Sequence, residues 1–148
     1  MFRKTFILMI LFFEIFVFGE TNKFHFYNLK KVVALEGKIL DFKSEKVYRR
    51  RSDFFFIYLE DKNGEKVKVE VCPKWFFNED LAKGMKIKVK GSDLGKEDEY
   101  RYLIAKEIEF GGDKVILRDK FGFPLWRGKN PNRLSFGERR RRGRGGKK

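Results

Sequence analysis

Aromatic and basic side chains recur at every second position in two neighbouring segments, and this pattern suits ligand binding. The segments are residues 53–60 and 66–72. If both form strands, the alternating side chains share one face, because successive side chains of a strand point to opposite sides. Proteins that bind single-stranded nucleic acid stack bases on such rings and hold phosphates with such cations. The candidate ligand face consists of Phe54, Phe56, Tyr58, Lys66 and Lys68.

The same rings could instead be covered by a downstream segment of the chain. Apolar side chains that face water favour a covering element, because burying apolar surface is favourable. Phe121, Phe123 and Trp126 supply such surface a short distance after the last predicted strand. We therefore expect residues 121–126 to form a strap over the ring face, and an open ring face is the alternative.

Positive charge is concentrated at the C-terminal end of the chain. Residues 126–148 hold ten Lys or Arg and one Glu, so most of the formal net charge of +14 lies there. A low-complexity basic run is expected to be disordered and to bind anionic polymers or an anionic membrane surface with little specificity. The predicted contacts are Arg139, Arg140, Arg141, Arg142 and Arg144.

Catalytic chemistry has few candidate residues. The chain contains one His, His25, and one Cys, Cys72, which cannot build a metal site of ordinary Cys/His ligand count. In the predicted strand Cys72 faces the polar side, partly shielded. Carboxylates near three consecutive arginines at 49–51 could suit a metal-dependent nuclease, but their spacing is that of an ordinary turn; they are Asp53, Glu60, Asp61 and Glu65. We predict no enzyme activity, no cofactor and no metal.

Hydrophobic alternation from residue 31 onward predicts a small barrel. Strands are predicted at residues 31–40, 53–60, 66–72, 86–91 and 100–110, with a short helix at 74–82, polar loops at 44–52 and 92–99, and a final hairpin ending at 114–118. Gly37 inside the first strand is typical of a sharp bend. Five strands with a helix between the third and the fourth suit the OB fold, a partly open barrel. The predicted core is Val33, Leu35, Ile57, Leu59, Val67, Val69, Val71, Ile87, Val89 and Ala105.

The N-terminal residues are predicted to be a secretory signal peptide. A positive start precedes an apolar run from Phe6 to Phe18, which is the typical arrangement. The run is shorter than the roughly 20 residues that span a bilayer, and cleavage before Glu20 is expected, with an uncleaved anchor as the alternative. The expected organisation is a signal peptide at 1–19, a linker at 20–30, the barrel at 31–128 and a disordered tail at 129–148.

Four segments between residues 31 and 128 carry a resemblance to a known family. They are Val71-Cys72-Pro73-Lys74-Trp75-Phe76, residues 84–91, Leu103-Ile104-Ala105, and a closing element of Leu117-Arg118-Asp119 with Gly122, Pro124 and Trp126. They resemble the bacterial extracytoplasmic OB-fold family that includes the MamS/MamX magnetosome-protein domain. The resemblance implies a non-catalytic envelope domain. The sequence lacks the Cys-x-x-Cys-His motif of haem-carrying members, so it does not imply haem binding, redox transfer or magnetosome work.

The sequence thus predicts an all-β, exported binding module whose basic tail contacts anionic surfaces or polymers. The module is expected in the periplasm or outside the cell, where a protein of the envelope could be a further partner. The alternative function is single-stranded nucleic-acid binding by the ring face. The sequence identifies neither a ligand nor an oligomeric state.

Overall fold

A computed structural model describes residues 26–47 and 52–129. The predicted signal peptide, His25, the arginines at 49–51 and the basic tail from residue 130 onward lie outside the described residues. Within them the chain forms a 3-10 turn, Leu29–Lys31, and six strands. The strands are β1 (Val32–Lys46), β2 (Asp53–Asp61), β3 (Lys66–Pro73), β4 (Lys86–Glu97), β5 (Tyr100–Phe110) and β6 (Asp113–Ile116).

The first five strands close into the predicted barrel. β1 pairs antiparallel with β2 and β4, β2 pairs with β3, and β4 pairs with β5. Parallel pairing of Val67–Glu70 in β3 with Arg101–Ile104 in β5 closes the ring. β6 pairs with the last residues of β5, on the edge of β5 that β3 also uses, and forms the predicted extra hairpin strand. The all-β architecture predicted from the sequence is confirmed.

β1 pairs with two neighbours, and the two pairings overlap at a glycine. Its first half pairs with β4 up to Lys38, and its second half pairs with β2 from Gly37 onward. A Cβ atom at Gly37 would lie 2.8 Å from the Glu60 carbonyl oxygen, so a larger residue would push the two strands apart. A glycine inside a strand indicates either a sharp bend or a close backbone approach, and the close approach is confirmed here.

The barrel interior is aliphatic, as the alternation predicts. Ile57, Leu59, Val67, Val69 and Val89 have no exposed surface. Of the other predicted core residues, Val71, Ile87 and Ala105 are also buried, whereas Val33 and Leu35 are half-buried against the core. Buried residues outside the predicted core include Ile39, Leu103, Ile108 and Leu117.

The helix predicted for residues 74–82 is wrong. Residues 74–76 form a turn in which the Phe76 amide donates to the Pro73 carbonyl at 2.8 Å, and residues 77–82 are irregular. Phe76 is buried, and Phe77 stacks on Phe55 with ring centroids 5.1 Å apart. Ring burial outweighs local propensity here, because a helix this short has little stability of its own.

The polar loop predicted for residues 92–99 is also wrong. β4 runs on to Glu97, and Asp98 and Glu99 alone connect it to β5. Asp98 has a φ of 53°, a left-handed conformation that Asp tolerates better than most residues. β1 likewise extends to Lys46, beyond the predicted residue 40, and shortens the loop predicted for 44–52. Both extensions consist mostly of polar side chains, so the apolar–polar alternation that marks a half-buried strand is missing there.

Candidate functional site

The candidate ligand face lies on the outer wall of the barrel, and its rings are buried. Phe54 and Phe56 are each 2% exposed, and Tyr58 is buried as well. Lys66 is exposed at the end of β3, whereas Lys68 is half-buried among the rings. The alternative of an open ring face is therefore wrong, because other parts of the chain cover these rings.

A β-bulge in β3 changes which of its side chains are buried. Phe55 pairs with Cys72 but Phe56 pairs with Glu70, so β3 contains one extra residue, Val71, at this point. A bulge leaves one residue unpaired and rotates the strand locally. As a result both Val71 and Cys72 are fully buried, and the expectation that Cys72 is only partly shielded is wrong.

The ammonium group of Lys68 fills the space between the rings of this wall. Its Nζ lies 4.6 Å from the ring centroid of Phe56, 5.5 Å from that of Tyr58 and 5.9 Å from that of Tyr102. The same atom lies 3.0 Å from Oε2 of Glu45. A cation over aromatic faces is attracted by the ring quadrupoles, so this wall already holds a cation, supplied by the protein itself. We call these five residues the lysine cage.

Hydrogen bonding fixes the lysine cage across several strands. The Tyr58 hydroxyl donates to Oε1 of Glu45 at 2.7 Å, and the Tyr58 ring packs edge-on against Tyr100. Burial, together with the nearby Glu45 carboxylate, raises the pKa of Tyr58. Partial burial alone would raise the pKa of Glu45, but hydrogen bonds from Tyr58 and Lys68 outweigh it and hold the pKa below its ordinary value.

Sequence reasoning missed three members of this wall, namely Glu45, Tyr100 and Tyr102. Glu45 lay in a predicted loop, so its strand position opposite Phe54 was not visible. The two tyrosines alternate in β5, and that spacing could have placed them on one face. Their contact with β3 depends on the parallel β3–β5 pairing, which no local pattern reveals.

The predicted strap exists, but only part of it covers the wall. Residues 117–127, which we call the strap, run back along the barrel from β6, with the Leu125 amide donating to the Leu117 carbonyl at 3.0 Å. Trp126 packs edge-on against Phe54 with centroids 6.0 Å apart. Phe121 and Phe123, in contrast, are 60% and 53% exposed. Trp126 therefore supplies the expected cover, whereas the two phenylalanines face outward.

A buried arginine fastens the strap to the barrel. Arg118 is 6% exposed; its Nε donates to the Ala105 carbonyl at 3.2 Å and its Nη1 to the Gly122 carbonyl at 3.1 Å. Its guanidinium lies 5.3 Å from the Tyr27 ring centroid and 5.1 Å from that of Trp126. Arg suits such a place because its planar group donates in fixed directions and stacks on rings. Tyr27, at the predicted linker, is a further residue that sequence reasoning missed.

The turn of the strap is held by Asp119. Its Oδ1 accepts the amides of Phe121 and Phe123, both at 2.9 Å. Gly122, with a φ of 83°, supplies the left-handed conformation that this tight turn requires. The motif that carried the family resemblance therefore acts structurally, since its Arg, Asp, Gly and Trp all shape or anchor the strap.

Two of the four candidate carboxylates, Asp61 and Glu65, have structural partners. The Asp61 Oδ1 accepts the amides of Asn63 and Glu65, which closes the β2–β3 turn. Glu65 lies 3.5 Å from the Arg101 guanidinium. Burial raises the pKa of the Cys72 thiol, with the Arg118 charge acting in the opposite direction, so little of the nucleophilic thiolate is present at neutral pH. Among the described residues, no group of three or more His, Cys, Asp or Glu side chains is placed to hold a metal.

A cleft of about 570 Å³ lies between the first half of β1, β4 and the β2–β3 turn. Side chains of both charges line it. The positive ones include Lys38, Lys86 and Lys88, and the negative ones include Glu36 and Glu60. Mixed charge of this kind does not select an anionic or a cationic ligand.

The sequence model of the MamS/MamX magnetosome protein family matches residues 31–115, which is more than half of the chain. The chain belongs to this family. The match covers β1 to β5 of this MamS/MamX-family domain and all of β6 except Ile116, and it ends just before the strap. No curated protein matches the sequence. Within the described residues, no helix has the length and apolar character needed to cross a membrane.

The lysine cage predicts a pH dependence of stability. Because the folded-state pKa of Glu45 lies below its ordinary value of about 4.3, this group stabilises the fold at neutral pH, and the contribution disappears as the pH falls through the folded pKa. Glu45→Gln should therefore narrow the difference between the free energies of unfolding at pH 7 and pH 3, measured by urea denaturation. Glu36→Gln, at an exposed position of the same strand, is the control. A difference as large as in the wild type would contradict the assignment.

The arginine anchor predicts a loss of stability on conservative substitution. Lys at position 118 cannot stack between two rings and donate to both carbonyls, so buried acceptors lose their donors. We expect Arg118→Lys to lower the free energy of unfolding by about 2 kcal/mol, measured by urea denaturation with tryptophan fluorescence. Arg127→Lys, on the exposed side of the strap, should change it by less than about 0.5 kcal/mol. Equal midpoints for both variants would show that the anchor is dispensable.

Proposed function

We propose that this protein is a non-catalytic binding module of the cell envelope, exported by residues 1–19, that attaches to anionic surfaces or polymers through its C-terminal end. Family membership supports a domain of the MamS/MamX type, and the basic composition of residues 126–148 supports an anionic partner. The proposal assigns the barrel the role of a stable carrier for this C-terminal contact.

The observation that carries the proposal is the filling of the lysine cage. OB barrels commonly bind oligonucleotides or sugars on the face of the second and third strands. In this domain Lys68 and Glu45 occupy that face together with Tyr102, and Trp126 covers its edge at Phe54. A base or a sugar would have to displace an ion pair and several ring contacts. The excess of positive charge, in contrast, begins at Arg127 and Lys129, both on the exposed side of the fold.

The buried state of Cys72 supports the non-catalytic part of the proposal. A nucleophilic thiol needs access to substrate and a lowered pKa, whereas this thiol is buried and its pKa is raised. Asp61, the best placed of the nuclease candidates, closes a turn with two backbone amides. Each of these residues thus has a structural role that accounts for its presence.

Export predicts a shortened N-terminus in the native host. If residues 1–19 are a cleaved signal peptide, mass spectrometry of the protein purified from its host should find Glu20 or a close neighbour as the first residue. A full-length protein in the membrane fraction would show that residues 1–19 are an uncleaved anchor and not a cleaved signal peptide. A full-length protein in the cytosol would contradict export and would favour intracellular nucleic acid as the partner.

Binding through the tail predicts that polymer affinity depends on charge and not on base identity. The full chain should bind inorganic polyphosphate and a mixed-sequence DNA oligonucleotide similarly, with an affinity that falls steeply with salt because counterions are released. Deleting residues 137–148, or replacing their arginines by serine in a tail of the same length, should abolish both interactions. Phe56→Ala should lower the melting temperature and leave both affinities unchanged.

The alternative function gives the opposite pattern in the same experiment. If the barrel wall bound single strands, the tail-deleted chain would retain affinity for the oligonucleotide. Phe56→Ala would then weaken oligonucleotide binding by roughly 1–3 kcal/mol, the usual contribution of a stacked base. That result would make nucleic acid the primary ligand and would overturn the proposed role of the tail.

A further inference from the structure

The turn of the strap holds two large apolar rings in water. Phe121 and Phe123 are 60% and 53% exposed. A Lys or Arg side chain accompanies each ring, because Lys120 Nζ lies 4.9 Å from the Phe121 centroid and the Arg127 guanidinium lies 5.7 Å from the Phe123 centroid. We call these four residues the strap tip. Exposed apolar groups that cluster in this way, rimmed by polar ones, mark sites of interaction with proteins or membranes.

The fold keeps the strap tip in this arrangement. Asp119 accepts both phenylalanine amides, and the Gly122 carbonyl between the two rings accepts a hydrogen bond from the buried Arg118. The backbone that carries the rings is therefore held by Asp119 on both sides of Gly122, and Arg118 links it to the barrel at the Ala105 carbonyl. A turn fixed in this way presents apolar surface without the entropy loss that a loose loop would suffer on binding.

Both ends of the described chain meet at the strap. The Tyr27 ring contacts the Arg118 guanidinium and would collide with a side chain at Gly122, and the Lys129 amide donates to the Trp126 carbonyl. In the sequence, residues 19–25 separate the apolar segment from Phe6 to Phe18 from the described chain, and a stretch of that length spans at most about 25 Å. The basic residues from 130 onward follow Lys129 directly in the sequence.

We propose that the strap tip inserts its two phenylalanine rings into the surface of a membrane that contains anionic lipids. The inference rests on the proposed function, since it names the anionic surface that the C-terminal end contacts. Exposed apolar rings with Lys and Arg beside them match the layers of such a membrane, where acyl chains lie beneath negatively charged headgroups. Nucleic-acid bases, in contrast, stack on rings that line an open groove, whereas these rings project from a tight turn.

The experiment compares vesicles with a soluble polyanion. The full chain is mixed with vesicles of phosphatidylcholine and phosphatidylglycerol, with vesicles of phosphatidylcholine alone, and with inorganic polyphosphate. We expect binding to the mixed vesicles. In the double variant Phe121→Ser/Phe123→Ser, vesicle affinity should fall by about tenfold or more, because two rings no longer leave water, while polyphosphate affinity stays unchanged.

Two matched variants keep the comparison specific. Leu40→Ser removes an exposed apolar side chain from β1 and should leave vesicle affinity as in the wild type. The double variant Phe121→Trp/Phe123→Trp should keep or increase vesicle affinity, because Trp favours the membrane interface. Melting temperatures of all variants, followed by circular dichroism, show that each is folded.

The outcomes separate the strap tip from the tail. Unchanged vesicle affinity in the serine double variant, or equal losses for vesicles and polyphosphate, would overturn the membrane role of the strap tip and leave the tail as the contact. If the wild-type chain bound neither the vesicles nor polyphosphate, the proposed function itself would be overturned. Equal affinity for both kinds of vesicle would contradict the requirement for anionic lipid.

Discussion

β2 must be covered on both of its faces, and most of the architecture follows from this constraint. Its inward residues, Ile57 and Leu59, meet the aliphatic interior, whereas Phe54, Phe56 and Tyr58 lie on the outer wall. Apolar rings on a solvent face are unfavourable. The chain therefore brings cover from three directions, namely the far end of β1, the tyrosines of β5 and the strap. The long β1, which reaches past Gly37, and the parallel β3–β5 closure make this cover geometrically available.

Cations rather than aliphatic side chains fill the two gaps that this cover leaves. Lys68 lies among the rings beside Glu45, and Arg118 lies between Tyr27 and Trp126. Removing a charge from water is costly unless it is paired or hydrogen-bonded. Lys68 has the Glu45 carboxylate as its partner, and Arg118 donates to the Ala105 and Gly122 carbonyls. The wall is thus filled by side chains of the protein itself, with Lys68 against the rings and Glu45 beside it. The face on which related folds bind their ligands has become a structural element.

Local patterns predicted the barrel because its interior follows strict alternation. Alternation alone predicts two of the strands, through Val67 and Val69 in β3 and Ile87 and Val89 in β4. Gly37 marks the close backbone approach in β1. The outer wall was not predictable in the same way, because β2 is apolar at nearly every position and alternation cannot then tell which face is wet. The bulge at Val71, the parallel pairing with β5 and the contact of Tyr27 with the strap depend on residues that are distant in sequence. The exposure of Phe121 and Phe123 was not predictable for the same reason, because the turn held by Asp119 decides which rings of the strap point outward.

The boundary of the family match separates two kinds of structure in this chain. The match ends at residue 115, and the strap with its arginine anchor begins directly afterwards. Arg118 links the strap to Ala105 in the barrel and to Tyr27 ahead of it, and the Lys129 amide donates to the Trp126 carbonyl. Within the described residues, the segment around Tyr27 and the strap are therefore held together on the barrel. The contacts proposed for this protein, at the strap tip and in the basic tail, all lie outside the matched region, so the family match by itself does not argue for them.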